Sequence, residues 1–242
     1  MRVQEGQGTQ TQANRLMQQK LNESLEASLE KLAYLDKLHL ELGKAMYEAY
    51  GGAIYGMDLL ATAALNRSKA HIAGFRRLIE SHNLLCAGAI LRLQLDTALR
   101  FHAAFLVKKP HDFAVEILSG KKMKDMRDQE GKLLTDTYLV KKLGKEFEWV
   151  PRVYDRTSGY VHFSATHMMA ALSVDKDDDD STKMITGKIS DTDKPLPEWI
   201  YIEACDAFCA STEILLKYIH GWVLTKANPD TVAKWRRDIF GE

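Results

Sequence analysis

Leu84-Leu85-Cys86-Ala87-Gly88-Ala89-Ile90-Leu91-Arg92-Leu93-Gln94-Leu95-Asp96-Thr97-Ala98-Leu99-Arg100-Phe101 is the run that settles the fold class. Its residues favour helix, and the apolar pattern continues to Val107 around the whole circumference rather than along one face. A helix apolar on all sides belongs at the centre of a bundle. Lys108-Lys109-Pro110 closes it, because proline lacks the N–H that a helix interior needs.

Working outward toward the N-terminus, Leu21, Leu25, Leu29, Leu32, Leu35, Leu38 and Leu42 recur with a mean step near the ~3.5-residue period of packed helices. The spacing predicts one long helix over 15–50, ended by Gly51-Gly52. Its leucine face either packs within the bundle or forms a homodimer seam, and the two are compatible. Residues 1–14, rich in Gln, Gly and Thr, read as a frayed tail without the apolar core of a signal peptide. A second helix is expected from Ile54 to Leu65, broken near Asn66 and Ser68, and a short third from Ala70 to Ile79, with Ser81–Asn83 as the joint before the central helix.

Toward the C-terminus, short helices are expected at Asp112–Leu118 and Leu133–Leu143, the latter capped by Thr135 or Asp136. Pro151 suits the first turn of the next helix. Residues 168–190 read as a β-hairpin insertion whose turn carries Asp177–Asp180. A last long helix should run from Glu198 to Thr225, burying Trp199, Ile202, Phe208, Ile214, Leu215 and Trp222. A short basic helix, Thr231–Phe240, should follow. The expectation is therefore an all-α fold: a single helical domain over 15–242, with a long N-terminal Leu-rich helix and a small β-hairpin insertion before the last long helix.

Lys+Arg and Asp+Glu both number 33, so no global field draws the chain to nucleic acid or an anionic membrane. RNA contact would have to be local. No apolar run reaches the ~18–20 residues that span a bilayer. The three cysteines, Cys86, Cys205 and Cys209, are too few and too scattered for a disulfide framework. They fit a cytoplasmic, reducing setting, with Cys205 and Cys209 as buried thiols. There is no Gly-rich phosphate loop of recognised spacing, no serine nucleophile elbow and no H-E-x-x-H. His162 and His167 are poorly spaced for a shared metal. No metal and no cofactor is expected.

Two polar sets sit where apolar residues predominate. Arg92, Asp96 and Arg100 fall at i, i+4 and i+8 of the central helix and should stack on one face. They form either a ladder that fixes helix register or an anion pocket whose arginines await a phosphate or carboxylate. The other set is Asp155-Arg156-Thr157-Ser158-Gly159-Tyr160-Val161-His162-Phe163-Ser164. If the helix continues, Ser158 and His162 share a face that Thr166 extends. Histidine is the side chain best suited to moving protons near neutrality.

Arg156 and His162, five residues apart in between, resemble the R-x4-6-H motif of the HEPN superfamily. Thr157 stands where that family usually has Asn, Asp or His. More loosely, Leu91–Asp96, Asp128-x-x-Gly131 and Thr157–His162 resemble a set of bacterial helical proteins that bring no activity with them. The HEPN resemblance implies an all-α domain with metal-independent endoribonuclease activity, in toxin or phage-defence settings, with sites formed where two protomers meet. It gives His162 the general acid–base role and Arg156 the stabilisation of charge on the phosphoryl oxygens. Ser158 and Tyr160 would position the ribose or phosphate, and Arg92, Asp96 and Arg100 would complete the substrate site. The competing expectation is a non-catalytic helical module that binds a protein partner or a small anionic ligand, or that oligomerises.

Overall fold

The computed structural model describes residues 24–176, 183–231 and 234. The tail 1–14, Leu21, the Asp177–Asp180 run and most of the expected C-terminal helix lie outside them.

The chain is an all-α helical bundle with one small hairpin. Its helices are α1 (Leu25–Glu48), α2 (Gly56–Glu80), α3 (Leu84–Ala103), α4 (Pro110–Leu118), α5 (Asp136–Leu143), α6 (Val150–Val161), α7 (Ala165–Ala171) and α8 (Glu198–Ala227). Strands β1 (Leu172–Lys176) and β2 (Lys183–Gly187) pair antiparallel between α7 and α8, with Leu172 opposite Gly187. Met168–Ala171, expected to open the hairpin, are helical instead.

Ser24 caps α1, and a 3-10 turn closes it where Tyr50, Gly51 and Gly52 adopt positive φ. The leucine stripe packs inside the chain. Leu32 and Leu35 are buried, and Leu25, Leu29, Leu38 and Leu42 lean on the same core, against α8 and α2. The described part of that face is thus covered by the chain's own helices, and the homodimer seam expected on it has no free leucine stripe to use.

The break expected at Asn66 and Ser68 does not exist, because α2 is one continuous helix. Ser68 is fully buried and bonded across helices rather than capping a new one. A mid-helix serine is tolerable when tertiary partners take its hydroxyl. The joint at Ser81–Asn83 does form, with Asn83 capping α3. As its composition requires, α3 is central and packs on α2, α8, α6 and α5. It ends at Ala103, four residues short of the expected Val107, and Pro110 opens α4 rather than merely ending α3. Thr135 caps α5 and Pro151 lies in the first turn of α6, both as expected. In α8, Phe208, Ile214, Leu215 and Trp222 are buried and Ile202 is half-buried, but Trp199 is 53% exposed in the first turn.

Cross-helix bonds set the directions. Lys31 meets Glu213 and Lys226 meets Met46, so α1 and α8 run parallel. Gln94 meets Thr212 while the starts of α3 and α8 share Asp193, so α3 and α8 are also parallel. The Asp193 carboxylate accepts from the Leu84 N–H and the Tyr201 hydroxyl, placing negative charge at the N-terminus of α3 where it is favoured. It also pins the segment after β2 to the bundle.

Two buried polar groupings register the helices. In the first, Gln94 joins α3 to α2 and α8, and His39 adds α1 through Ser68. The Gln94 amide nitrogen donates to Ser68 and Thr212, and its oxygen accepts from the His71 Nδ1–H. His39 donates from Nδ1 to the Leu35 carbonyl and accepts the Ser68 hydroxyl at Nε2. Every member has a partner, which is the condition under which a buried polar layer specifies packing. In the second, Asp58 and Lys226 form a completely buried ion pair at 3.0 Å. Asp58 also accepts from Trp222 Nε1 at 2.8 Å and the Tyr55 N–H at 2.7 Å, and Lys226 donates to the Met46 carbonyl at 2.8 Å.

Candidate functional site

Helix α6 carries the residues the sequence singles out. Val150 and Thr157 are buried and anchor it. The Thr157 hydroxyl donates to the Val153 carbonyl and Ser158 Oγ donates to the Tyr154 carbonyl, so both are occupied within the helix. The helix runs antiparallel to α3, since Tyr154 faces Arg92 and Tyr160 faces Gly88. The approach at Gly88 is so close that an added Cβ would lie 2.6 Å from the Tyr160 ring. Burial pushes the Tyr160 phenol up from its ordinary range.

The helix ends at Val161. His162 is extended, φ −109° and ψ 139°, so the face expected to run from Ser158 through His162 to Thr166 is cut there. Ser164 turns the chain into α7, its hydroxyl donating to the Gly159 carbonyl and accepting from the Thr166 N–H. A side chain at Gly159 would meet Thr166 Oγ1 at 2.6 Å, so glycine permits this tight corner. His162 is exposed, and no hydrogen bond reaches its ring from the described residues. Its neighbour Phe163 is 88% exposed and stacks on His167.

Arg156 lies on the side of α6 that faces α8. One of its N–H groups donates to Glu203 at 2.8 Å, and both side chains reach solvent. Behind this pair a half-open cavity lies between α3, α6 and α8, and Tyr160 also borders it. His162 is not among the residues that line it.

Arg92, Asp96 and Arg100 are brought to one face of α3 but not into a ladder. The Arg92 guanidinium lies 3.5 Å from the centre of the Tyr154 ring, a cation–π contact. Asp96 accepts twice from Arg100 Nε, at 2.8 and 3.0 Å, and Arg100 reaches Asp136 at 3.0 Å. Arg67 approaches Asp96 at 3.9 Å. Asp96 is the most enclosed of these, while Arg100 and Arg67 are part-exposed. The structure therefore distributes the singled-out residues over three places: the Arg156–Glu203 cavity, the open end of α6 with His162, and the Arg92–Asp96–Arg100 surface on α3.

Asp128, part of the looser resemblance, holds a loop. Its carboxylate accepts from the Glu130 and Lys132 N–H groups and from the Tyr138 hydroxyl, and Gly131 supplies a positive φ. Cys205 and Cys209 are buried, and burial pushes both thiols up to about 12. No group of three or more His, Cys, Asp or Glu among the described residues is placed to hold a metal ion. No described helix is long and apolar enough to cross a membrane.

Glu203 and Gly88 escaped the sequence reading. Glu203 carries no local mark on an exposed face of α8. Gly88 did carry one: a glycine inside an otherwise continuous helical run signals close approach of another element.

No protein-family model, no curated protein and no solved structure matches this chain. The functional reading rests on its own residues.

Proposed function

We propose that the chain is a HEPN-like endoribonuclease that needs no metal, acting in a toxin or phage-defence setting. The observation that supports the reading is that Arg156, in α6, and His162, just past its end, are both open to solvent, with His162 unengaged by any described residue. An RNA 2′-hydroxyl attacks the adjacent phosphorus as His162 takes its proton. The bond from phosphorus to the 5′ oxygen breaks, leaving a 2′,3′-cyclic phosphate, and the departing oxygen takes a proton from water. Arg156 gives one N–H to Glu203 and has four left for the phosphoryl oxygens. Tyr160, and Ser158 by rotating off the Tyr154 carbonyl, would position the substrate. Arg92, Arg100 and Asp96 would extend the contact along α3.

A homodimer belongs to the same reading. Its surface would be the exposed apolar corner of Val161, Phe163, Met168 and Met169 rather than the leucine stripe. A cytoplasmic location completes the proposal. The second reading, a non-catalytic module, draws support from the closed bonding among Asp96, Arg100 and Asp136, which is what a structural role would look like.

Incubation of the purified protein with several RNAs in chelator tests the nuclease. Cleavage to cyclic-phosphate ends is expected, falling by roughly 100-fold or more in His162→Ala with an unchanged melting temperature. Intact RNA with the unaltered protein across all substrates would overturn the reading.

A further inference from the structure

The cavity behind Arg156 has the character of a ligand site in its own right. Its space comes from the small residues Ala204 and Ala207 on α8, while Gly88 on α3 makes room for the Tyr160 ring that borders it. Leucine at either alanine would fill it. Leu84, Leu91, Val153 and Ile200 make the walls apolar. Free space for water centres is about 60 Å³. One water needs roughly 10–15 Å³ of it, so the cavity takes roughly four to six waters or a short alkyl chain. Waters against such walls find few partners, and an apolar group that displaces them gains affinity. Thr157 also borders the cavity, but its hydroxyl is already bonded within α6.

The polar chemistry is confined to the opening. Arg156 stands there with four N–H groups that no described residue accepts. The Tyr160 hydroxyl has no hydrogen-bond partner among the described residues, and its ring lies along the cavity. Apolar walls with convergent polar groups at one end are the pattern of a small-molecule pocket. A guanidinium beside a phenol is a fit for a carboxylate, which accepts from both. Glu203 is part-exposed and can turn outward as the ligand head arrives.

We propose that this cavity binds a small monocarboxylate with a short apolar tail, of about four to six carbons, the tail lying among Gly88, Ala204 and Ala207 and the head on Arg156. The site shares Arg156 and Tyr160 with the nuclease reading but does not rest on it, and its test does not involve RNA.

The probes are hexanoate, hexanol and hexylammonium, added singly to the full chain and followed by calorimetric titration and thermal shift. Hexanoate should bind best and hexylammonium worst. Arg156→Met should weaken hexanoate by roughly tenfold or more, as loss of a charge-assisted bond requires, while leaving hexanol little changed. Glu203→Gln should strengthen hexanoate by removing the competing carboxylate. Ala207→Leu should abolish both hexanoate and hexanol binding. Arg156 and Glu203 are exposed enough that their variants fold whether or not the leucine variant does. Absence of hexanoate binding at millimolar concentration overturns the proposal. So does hexanoate binding that is unchanged in Arg156→Met, or that weakens in Glu203→Gln.

Discussion

Replacing Asp58 by Asn is the sharpest test of the packing between the start of α2 and the end of α8. The substitution keeps the shape, so no cavity opens. It removes the negative charge facing Lys226, whose ammonium is fully buried and is left with neutral partners, the Met46 carbonyl among them. It also turns an amide N–H₂ toward one of the donors, Trp222 Nε1 or the Tyr55 N–H, that now meet carboxylate oxygens. Removing one partner of a buried ion pair costs about 3–5 kcal/mol, because the other charge stays behind without water. For a chain of this size that lowers the melting temperature by roughly 6–20 °C. Lys226→Met should cost less, because the Asp58 carboxylate keeps two donors that do not depend on lysine. The double variant should cost less than the sum of the singles by roughly 1–3 kcal/mol. Urea titrations followed by far-UV circular dichroism, fitted with a common m-value, give all four stabilities. A loss below about 1 kcal/mol in Asp58→Asn, the range of an exposed pair, would refute the reasoning. So would strict additivity.

Two further expectations concern buried titratable groups. His102 is 7% exposed, and its Nδ1 has no hydrogen-bond partner among the described residues. Burial holds its ring neutral down to about 4, against an ordinary value of 6.5, with Glu146 pulling weakly upward and Lys142 downward. Above 6.5 folded and unfolded chains are alike at this ring. As pH falls, the unfolded chain takes a proton that the folded chain refuses until about 4. Stability should therefore drop between those values, by about 3 kcal/mol for this residue. The buried His39 and half-buried His71, shifted the same way by desolvation, add in the same sense. In His102→Leu the His102 share of the slope should vanish and neutral-pH stability should not fall. An unchanged slope in urea titrations across that range would contradict this. Cysteine chemistry gives the other: native protein at mildly alkaline pH should take one maleimide, on exposed Cys86, while Cys205 and Cys209 label only on denaturation. Mass spectrometry of rapid labelling of Cys205 in folded protein would show the helix packing to be wrong.

The parts of this fold legible in sequence are those written in local periodicity and caps. The all-round apolar run of α3 declared a central helix, and Thr135, Asn83 and Pro151 marked ends where ends occur. What failed were features decided by partners far along the chain. Ser68 read as a break because nothing nearby announces that Gln94 and His39 will take its hydroxyl. The leucine period was correct, but the same spacing serves a neighbour in the same chain or in another, and α8 and α2 supply it here. Trp199 was assigned to the core by type, whereas the first turn of α8 leaves it open. Asp58 and Lys226, 168 positions apart, share no local pattern at all. At the site, Arg156 and Tyr160 do border a cavity. Their proximity to Glu203 depends on how α8 is laid beside α6, which spacing within either helix does not encode.

The place of α8 in the bundle also constrains the order of events during synthesis. Helix α1 packs chiefly against it, α3 packs on it as well as on α2 and α6, and Lys226 in its last turn neutralises a carboxylate near the start of α2. A nascent chain that has emerged only through the hairpin therefore holds its leucine stripe uncovered. The bundle closes only after the ribosome has delivered residues beyond 226, so the wait for α8 is when the emerging chain is most exposed to chaperones and to aggregation.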